Sequence, residues 1–114
     1  MTITIVQNHA TGHLNPTLYK KIERKLMRHV GSREFYIGKT GSEPALRFQE
    51  HRRDNPIWKK MILLYVSKSK KYVEDLEHDL VYATYNFNKN KTGGGGGPLS
   101  NEHPMNFVYV LIGK

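Results

Sequence analysis

The chain opens on Thr2, Ile3, Thr4, Ile5, Val6, Gln7, an alternation of polar and apolar positions that suits a short, half-buried strand. Asn15-Pro16 is a helix-start signal, with Asn15 as the N-cap and Pro16 at the first helical position. From Thr17 to Val30, the apolar residues Leu18, Ile22, Leu26 and Val30 recur every fourth position and predict one buried helical face. The opposite face carries Lys20, Lys21, Arg24, Lys25 and Arg28, and Gly31 stops the helix. Glu34 to Lys39 reads as a strand rich in aromatic and β-branched residues. A turn over residues 40–44 leads into a short helix from Pro44 to Arg53, which Asn55-Pro56 breaks. Trp58 to Val66 is apolar on both faces along Met61–Val66, as expected of a covered strand. Lys71 to Tyr85 predicts a second amphipathic helix with Val73, Leu76, Leu80 and Val81 inward. A loop then contains Gly93 to Gly97, and Phe107 to Ile112 closes the chain as a strand. These elements predict an α+β fold: a small antiparallel sheet of about three strands flanked by helices.

The chain has 114 residues, enough for a single domain that buries roughly 65% of its unfolded surface. That domain divides into an N-terminal strand and basic helix over residues 1–33, a central segment over 34–97 and a C-terminal strand over 98–114. Lys and Arg number 18 against 10 Asp and Glu, a formal charge of +8 that favours a polyanionic partner. Cysteine is absent, which excludes disulfides, thiolate metal sites and a cysteine nucleophile. The longest apolar run, Met61–Val66, is far too short to span a membrane. The segment MTITIVQNHATG has neither a basic start nor a long apolar core, so no signal peptide, no membrane partner and an intracellular location are expected.

Gly38-Lys39-Thr40 has the ending of a phosphate-binding loop, but that motif needs a glycine where Arg33 stands. His9 and His13 are four apart, yet they precede the helix and have no third ligand nearby, so they read as solvated loop residues. Arg47 and His51 are also four apart, within a predicted helix, and share one of its faces. A guanidinium binds phosphate through a bidentate fork, and a histidine or tyrosine nearby moves protons. The alternative is a plain solvated helix face. Glu77 falls at about 40° on a helical wheel that starts at Val73, inside the apolar arc, whereas Asp75 and Asp79 point away. A carboxylate aimed at the core needs a partner: a buried arginine, or a hard divalent cation.

Tyr36-Ile37-Gly38, the following Thr40, Arg47 nine residues after Gly38, His51 and the helix bearing Glu77 together resemble the GIY-YIG nuclease superfamily. The resemblance covers roughly residues 34–97 and ends on Asn90, just before the glycine run. It implies a three-stranded antiparallel sheet with flanking helices. It also implies a metal-dependent endonuclease that hydrolyses DNA phosphodiester bonds by attack of an activated water. Tyr36 and Arg47 would face the scissile phosphate, Glu77 would hold Mg²⁺ or Mn²⁺, and His51 would assist the tyrosine, Tyr36 or Tyr109, that activates water. Lys39, Thr40, Asn90, Arg52 and Arg53 would contact substrate, and the basic helix over residues 20–28, with Lys59 and Lys60, would hold its backbone. No GIY triplet occurs in the chain. The strand Phe107–Ile112 is therefore expected to pair antiparallel with Glu34–Lys39 in its place, which makes Tyr109 a candidate for the water-activating tyrosine. The alternative function is a non-catalytic nucleic-acid-binding module of the same fold.

Overall fold

A computed structural model describes residues 4–6, 9–31, 34–84 and 105–113. Its elements run β1 (Thr4–Val6), α1 (Pro16–Val30), β2 (Phe35–Thr40), α2 (Pro44–Asp54), β3 (Lys60–Ser67), α3 (Lys70–Ala83) and β4 (Asn106–Ile112). Each helix begins where local chemistry starts it. Asn15 caps α1 by accepting from the Leu18 backbone N–H at 2.9 Å, and Ser69 caps α3 by accepting from the Tyr72 N–H at 3.2 Å. Helix α2 has no side-chain cap and starts on Pro44, whose ring presets the helical φ. Helix α1 ends at Gly31, where φ is +53°, a conformation that glycine adopts without a Cβ penalty.

The strands form one sheet in the order β1-β3-β4-β2. The expected pairing is present: β4 runs antiparallel to β2, with Phe35 opposite Ile112 and Gly38 opposite Tyr109. Its other edge pairs antiparallel with β3, which makes β4 an interior strand. The antiparallel unit β3-β4-β2 matches the expected three strands, but β1 adds a fourth that is parallel to β3, so the sheet is mixed. Parallel pairing is available because the whole of α1 and β2 lies between β1 and β3 in sequence. The contact continues past β1, where Ala10 donates to the Leu64 carbonyl and accepts from the Val66 N–H, both at 3.0 Å.

Strand alternation divides the core into two clusters, one on each face of the sheet. Ile37, Val108, Val110 and Ile112 meet Ile22, Leu26 and Val30 of α1 and Val73, Leu76, Leu80 and Val81 of α3. On the other face Met61, Leu63, Tyr109 and Leu111 meet Phe48 of α2 and Trp58, with Tyr36 at the margin. Among the described elements, one face thus carries two helices and the other the short α2. A bulge between Leu63 and Tyr65 interrupts the β3–β4 register, and Lys25 of α1 donates to the Leu63 carbonyl there at 3.4 Å. No described helix is long and apolar enough to cross a membrane.

Candidate active site

The face covered by α2 gathers four of the residues that the sequence singles out. Tyr36 projects there from β2, Tyr109 from β4, and Arg47 and His51 from adjacent turns of α2. Their approach depends on Gly38. A Cβ at this position would lie 2.6 Å from the Tyr109 hydroxyl oxygen, so the bare glycine lets the tyrosine ring lie across β2. The Tyr109 hydroxyl then sits 2.7 Å from His51 Nε2. The His51 ring also packs against Tyr36, with centroids 4.9 Å apart, and Tyr36 meets Trp58 edge-on at 6.2 Å.

Hydrogen-bond polarity in this cluster follows from the donor inventory. Arg47 hydrogen-bonds Tyr109, and a guanidinium only donates, so the phenolic oxygen accepts from it. The single hydroxyl proton of Tyr109 is then available to His51 Nε2, 2.7 Å away, which accepts it in the neutral tautomer protonated on Nδ1. Burial, reinforced by the Arg47 charge, lowers the His51 pKa to about 4, in keeping with that neutral state. Burial likewise raises Tyr109 well above the usual phenol range, against the pull of Arg47. Tyr36 is raised mainly by burial, with Arg47 opposing and Glu77 adding to the shift. For Arg47 itself burial works against the charge, and its contacts with Tyr109, Glu50 and Tyr36 outweigh that cost.

Glu77 is fully buried, as its place in the apolar arc of α3 predicts. Among the described residues Lys39 is an ion-pair partner of Glu77, with Nζ 3.7 Å from Oε1. Burial pushes the Glu77 pKa up to about 7, against the pull of Lys39. Lys39 shares strand parity with Phe35 and Ile37, so the pair lies on the two-helix side of β2 while the Arg47 cluster lies on the other. Strand β2 is at the edge of the sheet, so both faces open onto the same rim. The Glu77 charge acts across it, raising both Tyr36 and Tyr109.

The remaining candidates separate. Thr40 is fully buried, and its hydroxyl contacts the Ser42 hydroxyl at 3.0 Å and accepts from the Ser42 N–H at 3.1 Å. This contact shapes the turn into α2, because a short hydroxyl at the end of a strand satisfies the turn locally. Lys39 is likewise engaged by Glu77 before any substrate arrives. Arg52 is half-buried and Arg53 exposed in the last turn of α2, next to the cluster in sequence. Asn90 and the glycine run lie outside the described residues. Helix α1, expected to hold the backbone of the substrate, packs on the opposite face from Arg47. Trp58, which the residue pattern places in an ordinary strand, walls the site beside Tyr36. Its signal was its place as the one tryptophan, just before the covered strand.

Among the described residues, no group of three or more His, Asp and Glu side chains is assembled for a metal ion. A lone buried carboxylate still suits Mg²⁺, which usually keeps several waters and takes one or two carboxylates together with substrate phosphate oxygens. None of the family models, curated proteins or solved structures compared with the chain matches it.

Proposed function

We propose that the protein is a metal-dependent endonuclease of GIY-YIG type that hydrolyses DNA phosphodiester bonds. The observation that carries this reading is the hydrogen-bonded series Arg47–Tyr109–His51, a phosphate-binding cation and a neutral base joined by one phenol. Arg47 would take the phosphate through its guanidinium fork and stabilise the charge that grows on the phosphoryl oxygens. As water attacks phosphorus and the opposite P–O ester bond breaks, the water's proton would pass to the Tyr109 oxygen while the Tyr109 proton moves to His51 Nε2, and the leaving alkoxide would take a proton from solvent. Neither transfer requires a standing phenolate, which agrees with the raised pKa of Tyr109. Tyr36, kept protonated by burial, would donate a hydrogen bond on the phosphate side and hold the His51 ring by packing. Glu77 is the residue that would hold Mg²⁺ or Mn²⁺, with Lys39 giving way or moving aside. The bound ion would supply Lewis-acid charge at the phosphate. Arg52 and Arg53 extend the positive surface for the flanking backbone.

The formal charge of +8 supports DNA as the partner, because phosphate neutralisation dominates such binding. A non-catalytic nucleic-acid-binding module is favoured by one observation, the Lys39 ammonium beside the carboxylate that a metal would need. Nicking of supercoiled plasmid with Mg²⁺ separates the two readings. Cleavage by the wild type that is lost in Glu77→Gln and in Arg47→Ala supports the nuclease. Binding without cleavage at any divalent-ion concentration leaves the module.

A further inference from the structure

We propose that the outer face of α1 is a second nucleic-acid-binding surface, which holds a duplex segment other than the one at the Arg47 cluster. Helix α1 places Lys21, Arg24 and Arg28 on one exposed stripe, and these three side chains line a shallow depression of about 450 Å³. Lys20 is exposed beside them, and Lys25 lies half-buried on the same helix. The one acid in the helix, Glu23, is half-buried and hydrogen-bonds Tyr19, with Asp79 of α3 also near that hydroxyl. The positive field reaches past the helix: His29 in its last turn feels Lys60 at the start of β3 as well as Lys25 and Arg28.

Position makes this surface distinct from the candidate active site. The apolar side of α1, through Ile22, Leu26 and Val30, packs on the sheet face opposite Tyr109 and Phe48. The sheet and the full thickness of a helix, about 10–12 Å with its side chains, therefore stand between the stripe and the Arg47 cluster. One straight duplex cannot lie against both.

Dimensions and composition favour nucleic acid as the occupant. Lys21 to Arg28 spans about 10.5 Å along the helix axis at 1.5 Å per residue. Phosphates advance about 3.4 Å along the duplex axis per strand, so the three cations face about three phosphates. A membrane-surface helix would need an apolar face to insert. The apolar face of α1 is already in the core, and Met27 is its one exposed large apolar residue. This surface rests on the proposed function for the first duplex at the Arg47 cluster, and it does not require cleavage.

The test uses the full chain and a short duplex of mixed sequence, immobilised on beads, with protein limiting and a second, labelled duplex added. The wild type should retain the labelled duplex. Lys21→Glu/Arg24→Glu/Arg28→Glu should lose that retention while still binding a single duplex. In a salt titration, retention of the second duplex by the wild type should fall with a log–log slope of about −2.7, three contacts at about 0.9 each. The neutral Lys21→Gln/Arg24→Gln/Arg28→Gln variant, checked for folding by circular dichroism, should show the same losses without charge repulsion. Retention of the second duplex by either folded variant, wild-type retention that does not fall with salt, or no retention by the wild type would overturn the inference. So would loss, in the neutral variant, of binding to phosphatidylserine vesicles with duplex binding intact. If the wild type never nicks plasmid yet holds two duplexes, the nuclease reading fails and this one stands.

Discussion

Gly38 and Tyr109 stand directly opposite each other on β2 and β4, and a Cβ on Gly38 would come within 2.6 Å of the Tyr109 hydroxyl. The glycine of the YIG triplet is thus a space requirement set by an aromatic residue some seventy positions away. Gly38→Ala should destabilise the fold by about 1–3 kcal/mol, the usual cost of forcing an extra methyl into a packed site. In a Tyr109→Leu background the same substitution should cost much less, because the ring it meets is gone. Urea unfolding of the two single variants and the double variant measures this coupling, and additive effects would refute it.

The proposed function gives the hydroxyl of Tyr109 a chemical role as well as a steric one. Tyr109→Phe removes the link between Arg47 and His51 and should lower nicking by about 10²–10⁴-fold, the range for a proton-transfer group. It should also cost about 1–3 kcal/mol in stability, since buried partners lose a hydrogen bond. Tyr36→Phe should slow nicking less. If the order is reversed in single-turnover kinetics, Tyr36 is the tyrosine that contacts the attacking water.

His51 makes stability depend on pH in a defined direction. Its folded-state pKa of about 4 lies below the ordinary value of 6.5, so between these values the unfolded chain binds more protons. The contribution of His51 is present in full above about pH 6.5 and is lost as pH falls towards 4. Thermal melts across this window should show the decline, and His51→Gln should flatten it. An equally steep decline in the variant would show that His51 is not its source.

Glu77→Gln is nearly isosteric and removes the charge beside Lys39. It should leave the secondary structure unchanged and abolish Mg²⁺-dependent nicking. Burial already pushes the Glu77 pKa up to about 7, so the variant should be at least as stable as the wild type at pH 8, where the wild-type carboxylate is ionised in the core. Full cleavage by the folded variant would remove Glu77 from the site.

The interior position of β4 has a measurable consequence. Val108 and Val110 lie on a strand paired on both sides, with β2 and with β3. Their amides should be among the slowest to exchange with solvent, with protection close to the global unfolding free energy. Rapid exchange along the C-terminal strand would contradict the topology.

Much of this molecule follows from the chain itself, because it depends on near neighbours. The four-residue spacing from Leu18 to Val30, the Asn15-Pro16 start and the Gly31 stop set α1 through backbone hydrogen bonds within one element. The burial of Glu77 follows from helical geometry, as does the shared face of Arg47 and His51. The pairing of β4 with β2 followed from the edge that β2 would otherwise expose, and alternation then put Tyr109 on the same face as Leu111 and apart from Val110. The rest needed long-range contacts. Nothing local states that β4 also pairs with β3, or that β1 joins parallel to it, since strand partners are chosen by packing between distant segments. Tertiary structure likewise made Lys39 the partner of Glu77 and gave Thr40 to Ser42. It also set α1 on the face away from Arg47. A helical wheel tells which side of a helix is buried but not which face of the sheet receives it. That choice is made by the connections and by the competition of three helices for two apolar surfaces.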